Sequence, residues 1–173
     1  MNQSTYKLID DAAVREALGI KNAMETPRLT VGVVNIGVGK LEKERREKVA
    51  ELLQAITGRK PVPTLARKSI AAFKVREGQL VGYKVTLRGE ALRRFVYKLV
   101  NVVLPRTRDF HGLKKTATTK DGGCNVGIKD IGIFPEVRPD EAQSTSLHVT
   151  IASTAKGDLV DPYYRLLGFP LEQ

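Results

Sequence analysis

The sequence predicts an α+β fold: a mostly antiparallel sheet with helices packed on one face and an open basic face on the other. Three observations lead there. Apolar and polar residues alternate through Ser69 to Arg88 (SIAAFKVREGQLVGYKVTLR) with the period of two expected of strands. Leu92, Phe95, Val96, Leu99, Val102 and Val103 recur instead as one helical stripe. The segments follow one another as helix, strand, helix, strands, helix, strands, helix, which suits helices laid on an antiparallel sheet.

A first helix is expected from about Tyr6 to Met24, with Leu8, Ile9, Ala12, Ala13 and Leu18 as a partial apolar stripe, until Pro27 breaks the pattern. Arg28 to Ile36 (RLTVGVVNI) is rich in β-branched residues and reads as a strand, followed by the loop Gly37-Val38-Gly39. Leu41, Val49, Leu52, Leu53 and Ile56 place a helix over Leu41 to Thr57, stopped by Gly58. Its charged run, Glu42 to Lys48, lies mostly on the solvated face. Lys60 to Pro63 must be extended or looped, because proline restricts itself and the residue before it.

In the hairpin that follows, Ala71, Phe73, Val75, Val81, Tyr83, Val85 and Leu87 fall on the core face. Lys74, Arg76, Lys84, Thr86 and Arg88 fall on the other, and Glu77-Gly78-Gln79 is the tip. The helix in GEALRRFVYKLVNVVLP turns Arg93, Arg94 and Lys98 away from its stripe and closes at Pro105. Arg106 to Lys120 is loop-like and basic, and Asp121-Gly122-Gly123 is a turn. Strands are expected at Asn125 to Ile133 and at Leu147 to Ile151, and a last helix from about Leu159 to Leu167. No repeat or linker divides the chain, so residues 1–173 are expected to form a single domain.

Charge narrows the function. Lys and Arg number 29 against 19 Asp and Glu, a formal charge of +10. The excess is not a tail: it recurs as Arg45-Arg46, Arg59-Lys60, Arg67-Lys68, Arg93-Arg94, Arg106 with Arg108, and Lys114-Lys115. Basic pairs spread over the elements of a fold imply a broad footprint on a large anion, and nucleic acid is that anion. The exposed side of the hairpin carries cations and Thr86 but no aromatic, which favours folded double-helical RNA read by shape over single strands read by base stacking.

Other chemistries lack their residues. Gly37-Val38-Gly39-Lys40 sits between strand and helix as a phosphate loop would, but Val34 stands where that motif needs glycine and Leu41 where it needs a hydroxyl. Glu42 replaces the last glycine of a dinucleotide fingerprint. The expectation is a glycine turn, with amides and a lysine that meet an RNA phosphate if they do anything. His111 and His148 are the only histidines and read as surface or RNA-contacting residues; Cys124 reads as a loop or packing thiol without an activating base. Nothing implies a metal or another cofactor. The acidic start MNQSTYKLIDDAAVREAL argues against a signal peptide, and no stretch approaches the roughly twenty apolar residues of a membrane span.

PRLTVGVVNIGVG, ITGRKPVPTLARKSIAAFKVREGQLVGYKVTLRG, LPRTRDFHGL, IFPEV and LLGFP resemble, in order and spacing, the universal large-subunit ribosomal protein five family, whose bacterial-type members bind 5S rRNA in the central protuberance. The resemblance runs from about Pro27 to Pro170, and KPVPTLARKSIAAFK with KVTLRG is its most specific part. It implies a non-enzymatic, cytoplasmic ribosomal protein with 5S rRNA, 23S rRNA, P-site tRNA and a small-subunit head protein as partners, and no membrane. It implies that Asn35 and Thr86 face 5S rRNA, with Arg59, Lys60, Thr64, Arg67, Lys68, Ser69, Lys84 and Arg88 at or near the same surface. The loop from about Lys74 to Gly82, with Arg76, Glu77, Gly78 and Gln79, would approach the tRNA elbow, and roughly Ile133 to Ser146 would form the intersubunit bridge. Departures from the family pattern are Arg59 for a common glutamine, KDGGCNV for FDGRGNY, and Pro162 inside the expected last helix.

Two other classes compete. An RNA-processing enzyme would need a pocket of titratable groups around His111 or His148. A DNA-binding or general RNA-chaperone module would show little preference among folded nucleic acids.

Overall fold

The computed structural model describes residues 11–39, 41–108, 110–138 and 145–172. It has the α+β class expected from the sequence, with helices and a five-stranded antiparallel sheet in the order β2-β3-β1-β5-β4. The strands are β1 (Leu29–Gly37), β2 (Val62–Leu65), β3 (Leu80–Leu87), β4 (Gly123–Ile128) and β5 (Leu147–Ser153). The helices are α1 (Asp11–Ala17), α2 (Lys43–Thr57), α3 (Gly89–Lys98), α4 (Leu104–Arg106) and α5 (Val160–Leu166). The chain divides into two compact units. One takes the described residues of Met1–Gly32, Arg88–Val126 and Thr150–Gln173; the other takes Val33–Leu87 and Gly127–Val149.

In the second unit, Val34 and Ile36 of β1 and Val85 and Leu87 of β3 are buried with Val49, Leu52, Leu53 and Ile56 of α2. Helix α2 ends as its sequence predicts: Gly58 adopts φ +67, a left-handed conformation cheap only for glycine, and its N–H donates to Gln54 O at 2.7 Å. Strand β2 is formed by VPTL, inside the stretch read only as extended or looped. Its proline, Pro63, is tolerated because β2 is the edge of the sheet, where an N–H on the outer side has no ladder to join.

The hairpin departs from expectation. Strand β3 pairs antiparallel with β2, matching Val62 with Lys84, Pro63 with Tyr83 and Thr64 with Gly82. SIAAFKV is therefore not a strand of the sheet but part of an excursion over residues 66–79. Ala66 and Gln79 close its neck, with Ala66 N–H on Gln79 O at 2.8 Å and Gly78 N–H on Ala66 O at 3.0 Å. Further out, Ile70 and Val75 exchange N–H···O bonds of 2.9 and 3.2 Å around a 3₁₀ turn at Ala71–Phe73. Phe73 and Ala71, expected in the core, are exposed, because local alternation without a neighbouring strand buries nothing. Glu77-Gly78-Gln79 does form a turn, but at the neck rather than the tip, which is Ala71–Lys74 by residue order. Farther along, the assignment holds at Val85 and Leu87, which are buried, and at Lys84 and Thr86, which are exposed, but Tyr83 is only half-buried and Val81, expected in the core, is exposed.

In the first unit α1 stops well before Met24. Gly19 at φ +65 ends it in a Schellman motif, with Ile20 N–H on Arg15 O and Gly19 N–H on Glu16 O. Its one buried residue is Val14 rather than the expected Ala12, Ala13 or Leu18; Leu8 and Ile9 lie outside the described residues. The third helix does not close at Pro105. It widens into a π-helical segment, Leu99–Val103, where Leu104 N–H reaches back five residues to Leu99 O, and continues through Pro105 as α4. The wide turn accommodates a residue that has no N–H and whose ring crowds the carbonyl four positions earlier. Asn125 to Ile133, expected as one strand, is β4 followed by a separate 3₁₀ turn at Ile131–Ile133. Pro162 lies within the first turn of α5, where its missing N–H has no intrahelical acceptor in any case.

Candidate nucleic-acid interface

The open side of the second unit's sheet follows from its strand parity. Val34 and Ile36 point into the core under α2, so Asn35 between them points outward, and it is exposed. Val85 and Leu87 likewise force Lys84 and Thr86 outward. Directly paired residues share a face, so Lys84 brings Val62 to the open side and Gly82 brings Thr64. The Thr64 Oγ1 hydroxyl lies 3.2 Å from where a Gly82 Cβ would stand, over the same face. Asn35, Thr64, Lys84 and Thr86, assigned to one surface, are brought onto one face. Val62, 53% exposed there, was missed.

The other expected residues flank this face rather than lie on it. Arg59 and Lys60, both exposed, occupy the connection from the α2 cap into β2. Arg67 and Lys68 are exposed on the excursion, as are Lys74, Arg76 and Glu77. Ser69 and Gln79 have structural work: Ser69 Oγ accepts from Glu77 N–H at 2.9 Å, and Gln79 Oε1 accepts from Arg76 N–H at 3.1 Å. Gly78 takes φ +78 in the neck turn. Arg88 is exposed and follows β3 directly. Among the described residues, no carboxylate pairs with Arg59, Lys60, Arg67, Lys68, Lys74, Arg76, Lys84 or Arg88. Their charge is uncompensated and solvent-facing, which is what phosphate neutralisation requires.

The phosphate-loop look-alike is already occupied with its own folding. Val38 is fully buried and its N–H donates to Val81 O at 2.8 Å, while Leu41 N–H donates to Val38 O. Arg46 Nε donates to Leu41 O at 2.8 Å, so the guanidinium, not an anion, meets this loop. The Val38 and Leu41 amides are therefore not available to an RNA phosphate; Lys40 lies outside the described residues.

His111 and His148 are both exposed, His148 on the outward side of β5 as its alternation requires. Cys124 is completely buried on β4, and burial, with the Asp161 charge adding, pushes its thiol up to about 12. It is a core side chain, not a nucleophile. Among the described residues no helix is long and apolar enough to cross a membrane.

Comparison with known proteins places these features in a family. Residues 22–76 match the family described as Ribosomal protein L5, and residues 80–170 match the description of the C-terminus of that ribosomal family. The large ribosomal subunit protein uL5 of Halothermothrix orenii is 42% identical over 88% of this chain and 88% of its own length. That of Mesoplasma florum is 43% identical, covering 87% of this chain and 84% of its own. That of Anaeromyxobacter sp. is 41% identical over 94% and 92% respectively.

Proposed function

Because the chain belongs to the ribosomal protein L5 family, a structural and non-enzymatic constituent of the large ribosomal subunit, we propose that its open sheet face binds 5S rRNA. Its setting is the ribosome, which in bacteria is cytoplasmic. One observation carries the reading: Asn35, Thr64, Lys84 and Thr86 share a face that α2 leaves uncovered, with unpaired cations in the segments on either side of β2. The sheet face offers two kinds of contact. Lys84, with Arg59, Lys60, Arg67, Lys68 and Arg88 around it, neutralises phosphates; Asn35, Thr64 and Thr86 reach sugar hydroxyls and base edges. Ser69 supports this surface by holding the neck of the excursion.

The same reading assigns 23S rRNA as a second RNA partner and directs the excursion, with Lys74 and Arg76, towards the P-site tRNA. Residues 133–146 would then help bridge to the head of the small subunit, although 139–144 lie outside the described residues. The chain acts in all this as a single RNA-binding domain.

The test is binding of the purified protein to 5S rRNA at near-physiological salt, with unrelated folded RNA of equal length as competitor. Preference for 5S rRNA is expected. Asn35→Ala with Thr86→Ala should weaken that binding roughly 5- to 150-fold, two hydrogen bonds at about 0.5–1.5 kcal/mol each, while nonspecific binding changes little. An equal loss on both RNAs would remove the recognition role from these residues.

A further inference from the structure

We propose that Pro61 and Pro63 guard the free edge of the sheet and keep the unassembled protein from pairing strand to strand with a second copy of itself. The inference rests on the fold alone and is independent of which RNA the sheet face binds.

Strand β2 closes one side of the sheet, so one of its flanks has no neighbouring strand. Which residues address that flank follows from the neck of the excursion. Ala66 N–H donates to Gln79 O, so Ala66 turns its backbone groups towards the β3 side. Backbone groups alternate sides along a strand, so Thr64 and Val62 also face β3, while Pro61, Pro63 and Leu65 face outward. The register shift between Thr64 and Leu65 adds Val81 on β3 rather than a residue on β2, so the alternation along β2 is unbroken. Proline has no N–H. The outer flank therefore offers carbonyls at Pro61 and Pro63 and a single donor, the Leu65 N–H. Two such edges laid side by side would set carbonyl against carbonyl, and no ladder forms without a donor for each acceptor.

Without the prolines this edge would be adhesive. VPTL carries no charge, and apolar side chains are exposed on both of its faces: Val62, 53% exposed, on the open face and Leu65, 58% exposed, on the other. An uncharged edge with exposed apolar residues is a template for another strand. The opposite edge is protected in a different way. There the chain covers the start of β4 itself, with Thr119 N–H on Gly123 O at 2.8 Å and Gly123 N–H on Thr119 Oγ1 at 3.1 Å. Among the described residues, no segment outside the β2–β3 ladder makes a hydrogen bond to Pro63 or Leu65. Proline does at β2 what a covering segment does at β4.

The test is the mass of the full chain in solution, free of RNA, by sedimentation equilibrium from about 10 to 100 µM. The wild type is expected at 19.1 kDa throughout. Pro61→Val with Pro63→Val restores two outward donors, and its mass should rise with concentration towards twice that value while its far-UV circular dichroism stays that of the wild type. Adding Leu65→Lys to this variant should return it to the monomer, because a charge on the edge opposes pairing but does not repair a misfolded chain. Pro63→Ala restores one donor with no added bulk and should associate in the same way, more weakly. A wild type that itself associates would overturn the proposal. So would a monomeric Pro61→Val with Pro63→Val of native circular dichroism or, should that variant fail to fold, a monomeric Pro63→Ala.

Discussion

Burial raises the pKa of a thiol and two phenols in the first unit, which ties its stability to alkaline pH. Cys124 and Tyr163 are each pushed up to about 12, chiefly by burial, and burial also raises Tyr164. The folded unit therefore keeps protons that the unfolded chain releases once pH passes the ordinary thiol and phenol values of about 8.5 to 10. Stability contributed by these groups is complete below that range and falls as pH rises towards 12. Urea midpoints of the protein should be insensitive to these groups at pH 7 and fall steadily above about pH 9. The same burial makes Cys124 unreactive: Ellman's reagent at pH 8 should find no thiol in the folded protein and one per chain in denaturant. Tyr164 has a second duty, donating its hydroxyl to both Gly122 O at 2.9 Å and Ile151 O at 3.1 Å. Tyr164→Phe keeps the ring on Phe169 but loses these bonds, and should cost about 1 kcal/mol in urea unfolding.

At the scale of elements, two glycines are fixed by what lies beside them. A Cβ on Gly82 would stand 2.6 Å from Ile36 O, across the sheet on β1, so Gly82→Ala must spread two strands or tilt β3. The expected cost is about 1–3 kcal/mol, read as a lowered urea midpoint with weaker 5S rRNA binding, because Thr64 and Lys84 move with the strand. A Cβ on Gly122 would run into Ala155 O and stand 2.6 Å from Ser153 O, from a backbone at φ +87, so Gly122→Ala should be the more damaging change. Only the turn at Asp121-Gly122-Gly123 was legible beforehand; the carbonyls waiting for a Cβ come from residues more than thirty positions away. The same contrast explains the elements. RLTVGVVNI, the Gly58 stop and LHVTI declared themselves because pattern and packing agree there. SIAAFKV alternates as convincingly, yet it has no strand to pair with, and period alone does not reveal that. β2 was obscured by Pro61 and Pro63, whose meaning depends on whether the strand lies at an edge, a property of the whole sheet. Asn35 and Thr86 were assignable because each lies between buried residues on its own strand, and Lys84 because it precedes buried Val85; Phe73 misled because its neighbours are not strand.

At the scale of the whole molecule, a formal charge of +10 draws the protein to any RNA, so affinity alone cannot identify a partner. Salt separates the electrostatic part from the rest. If Arg59, Lys60, Arg67, Lys68, Lys84 and Arg88 each neutralise one duplex phosphate, log K should fall against log[KCl] with a slope of about −5. Lys84→Ala should lower 5S rRNA affinity and flatten that slope by about 0.9, one counterion fewer released. Asn35→Ala with Thr86→Ala should lower affinity at every salt concentration while leaving the slope unchanged, because neither residue carries charge. The measurement is a set of 5S rRNA isotherms from about 50 to 300 mM KCl for the wild type and both variants. Parallel lines for Asn35→Ala with Thr86→Ala and a shallower one for Lys84→Ala would mean that one face both attracts RNA and recognises it. A Lys84→Ala line parallel to the wild type would mean that this lysine meets no phosphate, and the centre of the contact would have to move off the sheet towards the excursion.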